Sequence, residues 1–463
     1  MNTIDVTSPF DGRVLDTIEF NTKEYIDIAL DLAQGAYRNR DRWIPTHERI
    51  EILEKTVDIM SSRIEELTQI ALNEGGKPYI DSKVEVQRAI NGVKLAIEQM
   101  GAFGGKEIPM GHTASSTNRM AYTMKEPIGV VVAISAFNHP LNLAVHQIVP
   151  AIAVGSPVII KPSENTPMSA LNFVNILYEA GLPTEWVQVI VCDIPEAEYL
   201  ATHPNVDYLT FIGSANVGWY LHSKVSRGTR VGLEHGGVAP VIVEDDASLD
   251  ELIPALAKGG FYHAGQVCVS VQRVFIHESI FDEVSQKLVS VAKALKIGDP
   301  ADPTTEVGPL ISHAEVDRVD SWVKEAIESG ALLLCGGERV GESCYEATIL
   351  SNPPSDAKVS TMEVFAPVVC LYSYANIDEA IDRANSLEFS FQASVFTSNI
   401  DKALYAVKRL NGTAVMVNDH TAFRVDWMPF GGAKSSGLGL GGIAYSMEEM
   451  SQEKLMVIKS SAI

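Results

Sequence analysis

Between residues 46 and 72, apolar side chains recur at Ile50, Leu53, Val57, Met60, Ile64, Leu67 and Ala71. Steps of three and four stack them in one stripe, so the spacing predicts a long amphipathic helix. A second helix, over 80–100, places Val86, Ile90, Val93 and Ile97 on one face and leaves Arg88 off it. Ahead of these, residues 5–20 alternate apolar and polar around Ser8-Pro9 and Asp11-Gly12, the pattern of a short hairpin.

From Ile128 the pattern changes. Short β-branched runs at 130–134, 157–160, 187–191 and 208–211 alternate with helical stretches near 143–154 and 169–180. Runs without a polar face belong to strands buried on both sides, and the alternation implies a parallel sheet with crossover helices. Such sheets bind nucleotides at the carboxyl ends of their strands. Those ends carry Asn138, Lys161-Pro162-Ser163-Glu164 and Gly213-Ser214. After Gly237 a second α/β series is expected: strands near 241–243, 273–277, 332–334, 393–396 and 413–417, and helices near 249–258, 281–295, 314–329 and 378–385. The apolar run Leu455-Met456-Val457-Ile458 reads as a terminal strand, joined either to this chain or to a neighbouring subunit.

Composition narrows the class. A chain of 463 residues with 46% hydrophobic and 21% charged content suits an α/β enzyme of one large or two medium domains. Acids outnumber Lys and Arg by 59 to 36, and a net charge of -23 repels phosphate backbones and anionic lipid, which argues against nucleic-acid and membrane partners. With no basic-then-apolar leader and no long apolar run, a cytoplasmic location is expected. The five cysteines lack CxxC spacing and the histidines do not cluster, so reduced thiols and no metal site are expected.

Three residues stand out chemically. Cys268 follows Gly265-Gln266-Val267 in a glycine-broken loop, and reads either as a small buried hydrophobe or as a nucleophile. Glu234, in Leu233-Glu234-His235-Gly236-Gly237, is either a solvated turn acid or a general base with a raised pKa. Asn138, before His139-Pro140, is either a turn residue or an amide donor to a developing oxyanion. The run Gly213-Ser214-Ala215-Asn216-Val217-Gly218 opens a helix without being a GxGxxG fingerprint, and leaves open a Ser214 cap or a phosphate site.

In chain order, Phe137-Asn138-His139-Pro140, Lys161-Pro162-Ser163-Glu164, Phe211-Ile212-Gly213-Ser214, Leu233 to Gly237, Gly265 to Cys268, Glu363-Val364-Phe365-Ala366-Pro367 and Pro429 to Gly437 resemble the motifs of the NAD(P)-dependent aldehyde dehydrogenase superfamily. The resemblance spans nearly the whole chain. It implies an α/β, aldehyde dehydrogenase-like fold: an atypical Rossmann cofactor domain (1–108 and 128–233), an α/β catalytic domain (234–440), and a small β oligomerisation element (109–127 and 451–463) in a homodimer or homotetramer. It implies catalytic roles for Cys268, Glu234 and Asn138. Cofactor contacts would come from Lys161, Ser163, Glu164, Phe211, Gly213, Ser214, Gly218, Glu363 and Phe365. Cys268 would take up the aldehyde, hydride would leave to the nicotinamide, and Glu234 would activate the water that hydrolyses the thioester. A Glu164 carboxylate on the adenosine ribose favours NAD, while Lys161 leaves NADP use open. The chain departs from the superfamily at His235, at Ala366, and at Leu440-Gly441, where an Arg-Glu pair is usual and the glutamate is given a proton-relay role.

The resemblance also places Arg88, His139 and Arg424 around one substrate funnel. Two cations there suit an anionic aldehyde. The Phe423-Arg424-Val425-Asp426 segment is similar to that of lactaldehyde, phosphonoacetaldehyde and sulfoacetaldehyde dehydrogenases, and Val267 stands where phosphonate- and phosphate-using relatives often carry arginine. The expected order is therefore sulfoacetaldehyde, oxidised to sulfoacetate, then lactaldehyde, then phosphonoacetaldehyde. An NAD-independent cysteine hydrolase is the alternative from another class.

Overall fold

The computed structural model describes residues 3–463. Thr3–Thr7 and Val14–Glu19 pair as the expected antiparallel hairpin. The stripe over 46–72 is carried by two helices, Thr46–Ser62 and Ile64–Gly75, parted at Arg63, whose φ of -118° and ψ of 24° leave the helical region. Periodicity reports which face is apolar, not whether the backbone is continuous, so the stripe hid the break. Arg63 uses the corner to reach Glu179 at 2.8 Å. The next helix, Tyr79–Met100, lies against Pro140–Val154, a helix buried on every side and correspondingly apolar all round.

Two sheets form the body. The first runs Gly437–Leu438, Arg230–Glu234, Tyr208–Ile212, Val131–Ile134, Val158–Lys161, Val187–Val189. All neighbours in it are parallel except the first pair. Its earliest parallel strand, Val131–Ile134, lies between Val158–Lys161 and Tyr208–Ile212, so the strand order reverses there and a crevice opens at the carboxyl ends. Glu234 is thus the last residue of a strand and not a turn residue. Gly437–Leu438 comes from the far end of the chain and completes the first sheet as its antiparallel edge.

The second sheet runs Leu332–Cys335, Thr348–Ser351, Val368–Tyr374, Val271–His277, Ala239–Val243, Gln392–Phe396, Ala414–Val417. Two of its strands, Thr348–Ser351 and Val368–Tyr374, were not expected, because short apolar runs such as Val368 to Leu371 fit a buried helix or strand equally well. Outside both sheets, Ser451–Lys459 pairs antiparallel with Arg119–Pro127, which also pairs with Glu107–Ile108. The terminal strand therefore joins its own chain, and it leaves Leu455, Met456, Val457 and Ile458 exposed. Among the described residues no helix is long and apolar enough to cross a membrane.

Candidate active site

The loop bearing Cys268 leaves the helix Leu249–Phe261 through three consecutive left-handed residues, His263 (φ 50°), Ala264 (53°) and Gly265 (69°). Such backbone is unfavourable for His and Ala and persists only where surroundings enforce it. At Gly265 a side chain is excluded outright, since a Cβ would stand 2.1 Å from the Ala366 carbonyl oxygen. Gln266 locks the turn: its side chain donates to the Pro309 carbonyl at 3.2 Å and accepts from the Ile311 amide at 2.9 Å. The thiol is held at the mouth of the strand Val271–His277.

Asn138 meets this loop from the first sheet. Its Nδ2 donates to the Gln266 carbonyl at 2.8 Å, two residues before the thiol, and a carboxamide so held keeps a second N–H to offer. The helix that follows Asn138 is clamped by Glu85, whose Oε1 accepts the amides of Leu141 (3.0 Å) and Asn142 (3.1 Å) while Oε2 pairs with Lys77. Both members of that ion pair are buried.

Cys268, Glu234 and Asn138 open on one cavity of about 540 Å³, a size suited to a small-molecule site. The carboxyl ends of the first sheet contribute Lys161, Ser163, Glu164, Phe211, Gly213 and Ser214 to its wall, and the 363–365 segment adds Glu363 and Phe365. Ser214 stands at the N-cap of Ala215–His222 without making a capping bond, so its hydroxyl remains available. Gly218, expected beside the cofactor, does not line the cavity. It is a packing glycine: a Cβ there would fall 1.9 Å from Nε2 of His235. His235 itself fills the space between Phe211 and Trp219 and reaches the Ser435 carbonyl through Nδ1 at 2.9 Å.

The residues present fit a nicotinamide dinucleotide. Ser135 Oγ and Glu363 Oε1 are buried without a protein partner, as groups awaiting a polyhydroxylated ligand would be. Lys161 and Glu164 pair at 2.8 Å on the same wall. Burial pushes the Glu363 carboxyl up to about 8, against the pull of Arg318. Arg318 and Glu315, which line the cavity and bond each other at 2.6 Å, were not expected as site residues, because an i,i+3 Glu-Arg pair on a helix normally marks a solvated face. Among the described residues no group of three His, Cys, Asp or Glu is placed to hold a metal ion.

Burial pushes the Cys268 thiol well above its ordinary range; the negative charge of Glu234 adds to this and Arg424 opposes it. Glu234 is likewise raised by burial and drawn down by Arg424. Beside Glu234, Gly441 leaves room for a small cavity of about 40 Å³, whose wall includes Gln147, Thr210 and Ser446.

The two expected cations differ. Arg88 lines the cavity, but its charge is already matched: Nη2 meets Asp426 Oδ1 at 2.7 Å and Nε meets Oδ2 at 3.2 Å, so it does not supply a free cation. The hydrophobic pattern could not show this, because Asp426 is remote in sequence. Arg424 has no such partner among the described residues. Its guanidinium lies 3.6 Å over the Phe430 ring and its buried Nε has no acceptor. His139 is buried against Tyr262 and His263, and desolvation holds it well below its ordinary pKa, hence neutral.

Comparison with known proteins agrees with this geometry. The sequence profile of the aldehyde dehydrogenase family matches residues 1–456. A 3-sulfolactaldehyde dehydrogenase of Priestia aryabhattai is 38% identical over 456 residues, 98% of this chain and 94% of that protein. A lactaldehyde dehydrogenase of Methanocaldococcus jannaschii is 36% identical over 461 residues, covering 98% and 97%. The crystal structure of the glyceraldehyde-3-phosphate dehydrogenase GapN from the same organism, complexed with NADP, superposes with a TM-score of 0.94 at 35% identity over 99% of each chain.

Proposed function

This chain belongs to the aldehyde dehydrogenase family and is an NAD(P)-dependent oxidoreductase, and we propose that it oxidises a small monoanionic aldehyde to the carboxylic acid, with NAD preferred. The relatives' names cover a sulfonate, a neutral aldehyde and a phosphate ester, so charge preference must come from this chain's own pocket. Arg424 carries the proposal: one half-buried guanidinium with no salt-bridge partner among the described residues, its nearest opposing charge being Glu234, on the cavity that holds the thiol. With Arg88, Lys161 and Arg318 paired to Asp426, Glu164 and Glu315, the pocket offers a single unpaired positive charge, which suits a sulfonate or carboxylate better than a phosphonate dianion. Sulfonated aldehydes therefore come first, sulfoacetaldehyde and the 3-sulfolactaldehyde named for the Priestia relative among them. Lactaldehyde and then phosphonoacetaldehyde follow.

In this reading Cys268, its proton given to water in the cavity, attacks the aldehyde carbon as thiolate, and the Asn138 amide donates to the oxyanion that forms as the carbonyl double bond opens. A nicotinamide dinucleotide would be held by Lys161, Ser163, Glu164, Ser214, Glu363 and Phe365, and when bound would supply the acceptor for the hydride that leaves the aldehyde carbon. Glu234 takes a proton from the water that hydrolyses the Cys268 thioester, and passes it to water in the space beside Gly441. The 1–108 and 128–233 segments would form the cofactor domain and 234–440 most of the catalytic domain. The exposed row Leu455 to Ile458 on the small sheet is proposed as the contact of a homodimer or homotetramer.

The experiment is an aldehyde panel of sulfonated, phosphonated, hydroxylated and neutral members with NAD and NADP in parallel, read as NADH or NADPH absorbance. Preference for the monoanions with NAD supports the proposal. A thioesterase active without either dinucleotide would instead establish the hydrolase alternative.

A further inference from the structure

The wall of the cavity that holds Arg424 also carries a buried amide whose oxygen has no partner. Asn142 is 1% exposed, lines the cavity, and has no hydrogen-bond partner on Oδ1. A buried amide oxygen left without a donor is destabilising. It is not serving as a helix cap: the first-turn amides of Leu141 and Asn142 are both taken by Glu85. Asn142 lies within one helical turn, about 5 Å along the axis, of the Asn138-His139 junction. On the same wall the Tyr262 hydroxyl has a single long contact, 3.4 Å to His139 Nε2. These are a donor-acceptor amide and a phenol, both short of partners, close to where Asn138 would meet the reacting carbonyl.

We propose that Asn142, together with the Tyr262 hydroxyl, binds a hydroxyl group on the substrate carbon next to the aldehyde, so that the preferred substrate is a 2-hydroxyaldehyde. The inference rests on the aldehyde site proposed above and sharpens it. A hydroxyl both donates and accepts, which a carboxamide and a phenol can match together. A substrate lacking it leaves Asn142 desolvated and unpaired, and sites built this way reject the deoxy analogue strongly. By this criterion 3-sulfolactaldehyde ranks above sulfoacetaldehyde.

Four aldehydes test the proposal in a two-by-two design: 3-sulfolactaldehyde against 3-sulfopropanal, and lactaldehyde against propanal. Each pair differs only in the hydroxyl; the two pairs differ in charge. In the wild-type holoenzyme, kcat/KM is expected to favour the hydroxylated member of each pair by about 100-fold or more. Asn142→Leu, nearly isosteric, should reduce both ratios to a few-fold by loss on the hydroxylated members alone, while leaving the charged-to-neutral ratio in place and the melting temperature equal or higher. Tyr262→Phe should reduce the same ratios in part. The proposal is overturned if the wild type does not discriminate within the pairs, or if Asn142→Leu slows all four aldehydes alike, as loss of a purely structural residue would. Arg424→Ala separates the two readings: a collapsed charge preference with an intact hydroxyl preference supports both, whereas an unchanged charge preference overturns the anion pocket and leaves the hydroxyl site standing.

Discussion

Arg88 and Asp426 meet side by side across 338 residues of sequence, Nη2 to Oδ1 at 2.7 Å and Nε to Oδ2 at 3.2 Å. His146 bonds the same carboxylate at 2.9 Å. The pair ties the helix Tyr79–Met100 to the loop that carries Arg424, so its role is to set the shape of the pocket. Arg88→Met should cost about 3 kcal/mol of stability in urea denaturation, because a buried carboxylate loses its charged partner. Selectivity between charged and neutral aldehydes should change less than threefold. Burial raises the Asp426 pKa, but His146 and Arg88 together hold it well below the ordinary carboxylate range. A depressed carboxyl contributes stability above its unfolded pKa and loses it as pH falls through the folded value. Without Arg88 that folded value rises, so acid unfolding should begin at a higher pH.

Alkylation of the free enzyme reports the charge around the thiol. Cys192, Cys335, Cys344 and Cys370 are buried and Cys268 is half-buried on the cavity, so iodoacetamide should label Cys268 alone under native conditions. Burial and the Glu234 charge raise its pKa while Arg424 lowers it. Labelling at fixed pH should therefore be faster in Glu234→Gln and slower in Arg424→Ala, as mass spectrometry of timed aliquots would show.

Glu234 is expected to act as a base only in the hydrolytic half of the cycle. Glu234→Gln should give a rapid burst of about one equivalent of NADH per active site followed by a steady rate reduced 100-fold or more. In the wild type, burial raises the Glu234 pKa. A base is lost as it becomes protonated, so deacylation should decline on the acidic side at a higher pH than an ordinary carboxylate would give.

Lys161 is paired to Glu164 at 2.8 Å. Glu164→Gln removes the carboxylate that would repel a ribose phosphate and frees the ammonium. The ratio of kcat/KM for NADP over NAD should rise at least tenfold, measured with one aldehyde at saturation.

That Cys268, Glu234 and Asn138 would open on one cavity could be read from the sequence, because each sits in a short motif whose glycines and neighbours are local. The alternating strands from Val131 to Ile212 showed equally well, since burial on both faces is written in consecutive residues, whereas Arg230–Glu234, with Arg230 exposed and Gly232 inside it, did not read as a strand. What was hidden depends on distant partners. Nothing near Arg88 announces Asp426, nothing in the His313–Glu328 helix announces that Arg318 faces the cavity, and Asn142 reads as one polar residue in an apolar helix until its missing partner is seen. The packing role of Gly218 is likewise set by a three-dimensional neighbour, His235.

The most direct measurement is kcat/KM for 3-sulfopropanal and for propanal, aldehydes of equal chain length, in wild type and Arg424→Ala with NAD. The wild type is expected to prefer the sulfonate by at least tenfold, and Arg424→Ala to lose that preference: loss of the charge that favours the thiolate slows both aldehydes alike, and KM rises for the sulfonate only. Equal loss on both aldehydes, or a preference that survives the substitution, would contradict a pocket that reads a single negative charge through Arg424.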